Sequence, residues 1–94
     1  MKKLNQMKAE LEKKLEYFGV YAEEIVINQF DEEEKALLEK VGQNAENSLT
    51  VVTMFGTLEV MESGDLHLFD SERTYLKQYK KLGSAIKALG NLYK

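Results

Sequence analysis

Cysteine is missing from all 94 residues, which excludes disulfide staples, thiolate metal sites and cysteine nucleophiles together. A chain of this length buries only about 60–65% of the surface its unfolded form exposes. Without staples, its stability has to come from packing or from oligomerisation. Proline is missing as well, where an average usage of about 5% would supply four or five, so rigid linkers and polyproline ligand segments are excluded. Glycines occur singly and form no phosphate-cradling loop, and neither a Gly-x-Ser-x-Gly nor a His-Glu-x-x-His string is present. No apolar run approaches the roughly 18 residues that cross a bilayer. The N-terminal stretch MKKLNQMKAELEKK is basic at first but takes on Glu10 and Glu12 in place of an apolar h-region, so it reads as mature structure rather than as a signal peptide. The expectation is one domain over residues 1–94 in the cytoplasm, with no cofactor, no metal and no membrane.

What the chain does have is charge sorted by position. Residues 1–30 carry five lysines against five glutamates. Residues 31–70 carry ten acids against Lys35 and Lys40, a net of −8, and residues 71–94 carry six cations against Glu72, a net of +5. Segments of opposite sign either attract within the fold or recognise a charged partner.

Leu4, Met7, Leu11, Leu15 and Phe18 recur at spacings of three and four and predict an amphipathic helix over about 2–18, with Gly19 as its stop. The β-branched run Ile25-Val26-Ile27 suits a short strand, although the same stretch also fits helical spacing. Asp31 with Glu34 is a capping-box pattern, and Glu32 and Glu33 complement the dipole of a helix over 31–41. Leu37, Leu38 and Val41 are its expected buried side and Gly42 its stop. After a polar loop at 43–48, alternation with Thr and Val over 49–69 predicts a two- or three-stranded antiparallel meander. Gly56 marks an earlier turn or a bulge within it. A three-residue loop at 63–65 would oppose Glu62 to Leu66 and gather Leu58, Val60, Leu66 and Leu68 on one face. Leu76, Tyr79, Leu82, Ile86, Leu89 and Tyr93 then repeat every three or four residues and predict a long helix capped by Asp70 or Ser71, continuous or kinked; the alternative is a break at Leu82-Gly83-Ser84 with Ser84 capping a last short helix. Gly83 and Gly90 would lie on nearly one side of it. The expected fold class is α+β, with two or three amphipathic helices packed on a small antiparallel β-meander; the alternative is a mostly α domain with a β-hairpin.

His67 is the only histidine. On the outward face of a strand, opposite Met61 and diagonal to Glu59, it has no nucleophile or second base beside it, so general-base chemistry lacks its partner. The chain also has no calcium-loop pattern among its carboxylates, and no enzyme is expected. The acidic segment is the first candidate contact: Asp31, Glu32, Glu33, Glu39, Glu46, Glu59, Glu62, Asp65 and Asp70 can stand in for nucleic-acid phosphates against a partner's basic groove. The expected function is a small non-enzymatic protein-binding module, an inhibitor or regulator whose partner is a protein, including the nucleic-acid-binding kind. A homodimer through an exposed sheet edge or the seam of the first helix is a further expectation. The alternative is a nucleic-acid-binding regulator that uses Arg73, Lys77, Lys80, Lys81 and Lys87 as one stripe of the C-terminal helix, with Tyr75, Tyr79 and Tyr93 beside them.

Overall fold

Alternation at period two over the middle of the chain creates a sheet with one apolar side, and a sheet of that kind has to be covered. The computed structural model describes residues 2–43 and 45–92. It contains helices α1 (Lys2–Tyr17), α2 (Glu32–Lys40) and α3 (Leu82–Asn91), and strands β1 (Glu24–Asn28), β2 (Ser48–Val52), β3 (Gly56–Met61), β4 (Leu66–Asp70) and β5 (Tyr75–Tyr79). The strands form one antiparallel meander in the order β1-β2-β3-β4-β5. Leu49, Val51, Leu58, Val60, Leu66 and Leu68 line one face of it and pack against Leu4, Leu11 and Leu15 of α1 and Ala85, Ile86 and Leu89 of α3. The fold is α+β, as expected. The seam of α1 is spent on this core, so it is not free to join a second copy.

Helix α1 and its glycine stop match the expectation, as does the capping box of α2, where the Asp31 carboxylate accepts from the Glu34 amide at 2.7 Å. Gly19 and Gly42 follow their helices at φ +69° and +76°, the left-handed turn that ends a helix at little steric cost. The buried side assigned to α2 is wrong. No residue of α2 is buried, and Leu37 and Val41 are 61% and 69% exposed. The segment bridges the neighbouring strands β1 and β2, so α2 sits beyond the end of the sheet instead of on its face.

Two further expectations are corrected. The loop between β3 and β4 has three residues but lies one position earlier, at 62–64: the Met61 amide donates to the Asp65 carbonyl, and the register pairs Val60 with Leu66, Leu58 with Leu68 and Glu59 with His67. A shift of two preserves which face each side chain takes, so the apolar grouping survives. The long helix after Asp70 is replaced by a turn, strand β5 and the short α3. The register jumps between Leu68/Lys77 and Phe69/Tyr75, leaving Leu76 as the extra residue of a β-bulge. That extra residue breaks the two-residue alternation and leaves spacings of three that mimic a helix. Lys81 rather than Ser84 precedes α3, with no side-chain cap. Gly83 and Gly90 do share a side, facing Phe18 and Val20. Tyr93 lies outside the described residues.

Gly56 belongs to a tight β2–β3 turn. Thr53 donates through Oγ1 to the Gly56 carbonyl at 2.7 Å and accepts from the Gly56 amide at 3.0 Å. A Cβ at Gly56 would come within 2.7 Å of the Phe69 carbonyl oxygen, so this position needs the space only glycine leaves.

Candidate functional site

Register fixes which charged residues share an end of the sheet. Asn28, Ser48, Met61, Leu66 and Tyr79 stand at one end, and Glu24, Val52, Gly56, Asp70 and Tyr75 at the other. At the first end α2 presents Asp31, Glu32, Glu33 and Glu39, all exposed. The β3–β4 turn adds Glu62 and Asp65 there. Asn47 joins the two parts: its Oδ1 accepts from the Phe30 amide at 3.0 Å, its Nδ2 donates to Glu62 at 3.5 Å, and its carbonyl accepts from the Glu62 amide at 3.0 Å. Nearby, the Glu46 carboxylate accepts from the Ser63 amide at 2.6 Å.

The remaining acids are elsewhere. Asp70 stands at the far end, its carboxylate accepting from the amides of Glu72 and Thr74 at 2.9 Å each, a self-contained turn. Glu59 lies in the middle of the sheet, on the side away from the helices. The acidic segment is therefore divided: one group of α2 and turn carboxylates, one carboxylate on the sheet face, and one in the opposite turn.

The stripe of cations on one helix does not exist. Arg73 lies in the β4–β5 turn and Lys77 on β5, where its Nζ stands 5.2 Å from the centre of the Tyr79 ring. Lys80 and Lys81 form the link to α3, and only Lys87 is helical. Arg73 and the Lys80-Lys81 pair are at opposite ends of the sheet. A broken helix cannot present them as one side.

The sheet face away from α1 and α3 is covered by no element of the described chain. Two rows cross it side by side. One runs Val26, Thr50, Glu59, His67, Gln78, and the other Val52, Thr57, Phe69, Tyr75. Between them is a cavity of about 270 Å³ lined by Thr50, Val52, Thr57, Glu59, Phe69 and Arg73. The Phe69 and Tyr75 rings meet edge to face with centroids 5.5 Å apart, and His67 is 5.9 Å from Tyr75. Arg73 has φ +66°, the one positive value off glycine among the described residues, as the last residue of a three-residue hairpin loop usually requires.

Sequence reading placed His67 and Glu59 outward but gathered neither Thr50, Thr57 nor Phe69 into a site. The signal was there in the second phase of the alternation, where Val26, Val52 and Phe69 fall on the face that faces away from the core. No group of three or more acids and histidines is arranged to hold a metal ion, and no helix is long and apolar enough to cross a membrane, both among the described residues. Comparison with protein-family models, with curated proteins and with solved structures returned no match.

Proposed function

We propose that the chain is a non-enzymatic protein-binding module whose contact is α2, occupying a basic, apolar-floored groove on a partner protein as an inhibitor or regulator. The observation that carries this reading is the exposure of Leu37, on a helix that buries none of its residues, and of Val41 at that helix's C-cap. Glu33, Leu37 and Val41 follow one another at intervals of four, so they form one row along the helix. The rest of segment 31–41 surrounds that row with four carboxylates and only Lys35 and Lys40. A helix that offers a short apolar row within negative charge fits a groove with an apolar floor and a cationic rim. Proteins that bind nucleic acid present such grooves, and the α2 carboxylates would stand where phosphates otherwise lie.

The test is affinity capture from a nuclease-treated cell lysate at about 0.15 M salt, where charges farther apart than roughly 8 Å are screened. The full chain is compared with Leu37→Ala/Val41→Ala and with Glu32→Lys/Glu33→Lys/Glu39→Lys. The expected outcome is a protein held by the unaltered chain and lost with both variants. A captured set identical across all three chains would remove α2 from the reading.

A further inference from the structure

We infer that the open face of the sheet binds a nucleotide unit, with its base against Phe69 and Tyr75 and its phosphate at Arg73. The cavity floor is the pleated surface of β2, β3 and β4, where Val52 and the Phe69 ring supply apolar contact and Thr50 and Thr57 supply hydroxyls. A volume of about 270 Å³ admits a base-sized planar group, though it falls just below the usual range of about 300–1,000 Å³ for a binding cleft. Tyr75, half exposed, stands edge to face against Phe69 just outside the cavity, so a base stacked on one ring meets the other across an edge. Base stacking on such rings is tolerant of sequence because every base has a π-face.

The two charges make the choice sharper. Among the described residues, neither the Glu59 carboxylate nor the Arg73 guanidinium has a hydrogen-bond or ion-pair partner through its side chain, yet both line the same cavity. Arg73 is a planar fork that matches phosphate oxygens. A carboxylate only accepts hydrogen bonds, so Glu59 favours a base edge that donates twice. The Watson–Crick edge of guanine does so through N1–H and its amino group. The ligand class is thus a guanine nucleotide, free or as part of a single strand.

The test uses the full ¹⁵N-labelled chain, titrated by NMR with GMP, AMP, guanosine and a single-stranded guanine-containing oligonucleotide. Saturable shifts are expected at Thr50, Thr57, Glu59 and Phe69, with GMP binding more tightly than AMP or guanosine. Saturation by GMP identifies a free-nucleotide site; saturation by the oligonucleotide alone identifies a strand platform. Arg73→Gly suits the backbone at this position and keeps the fold, and it is expected to weaken GMP binding about tenfold. Glu59→Gln is expected to abolish the preference over AMP. The absence of saturable shifts with GMP and oligonucleotide up to about 5 mM would overturn the inference. So would binding that survives both substitutions unchanged.

Discussion

Asn47 shows how much of this fold rests on a residue that composition assigns to a loop. It is 1% exposed, and its side chain receives the Phe30 amide where the chain leaves β1 for α2. Removing that acceptor leaves a partly buried donor unpaired, which costs about 1–3 kcal/mol. Asn47→Ala is therefore expected to lower stability by about 1–2 kcal/mol in urea denaturation, or about 4–15 °C in Tm for a domain of this size. A loss below about 0.5 kcal/mol, the range of an ordinary surface change, would mean that water replaces the Asn47 Oδ1 acceptor at no cost. Sequence alone could not single out this residue. The stretch Gln43–Ser48 is polar throughout apart from Ala45, and burial of Ala45, Asn47 and Ser48 depends on the β3–β4 turn folding over them from 15 residues away. The capping box of α2, by contrast, was legible because its two partners are three residues apart.

Helices and strands divide along the same line between local and distant causes. Helix α1 and the face grouping of β3 and β4 follow from their own periodicity, and the structure agrees with both. Helix α2 has periodicity too, but a period says only that one side differs from the other. What covers that side is a tertiary matter, and here nothing in the described chain does. Stability should register the difference. Leu37→Ala and Val41→Ala replace exposed side chains with the best helix former and are expected to change unfolding free energy by less than about 0.5 kcal/mol each. Ile86→Ala, fully buried between α3 and the sheet, is expected to cost about 2–5 kcal/mol. Comparable losses at Leu37 and Ile86 in denaturant titrations would mean that α2 packs on the core in solution. The same experiment keeps the binding test interpretable, since variants that fold like the parent lose a partner only through contact. The candidate surfaces were legible to a similar degree. The α2 acids were found from their run in the sequence, whereas the Arg73 site was hidden because a bulge at Leu76 disguised β5 as helix.

A five-stranded open sheet leaves two edges for the whole molecule to protect, and it protects them unequally. Strand β5 carries the bulge at Leu76 and Lys77, two devices that discourage another strand from adding. Strand β1 has neither: Glu24, Ile25, Val26, Ile27 and Asn28 run without a register break along β2. An antiparallel copy centred on Val26 would set Val26 against itself, Ile25 against Ile27 and Glu24 against Asn28. Such a pair is self-complementary, as a two-fold interface must be, and sets no like charges opposite each other. With the α1 seam buried, β1 is the edge at which self-association is expected. Sedimentation velocity over a concentration series is expected to show an association that Val26→Lys abolishes and Leu76→Lys leaves unchanged, because a lysine on the open face of an edge strand sets like charges together only where two copies meet. An association removed by the β5 change instead would transfer the interface to the bulged edge, and a monomer at every concentration would mean that Glu24 and Asn28 are enough to guard β1.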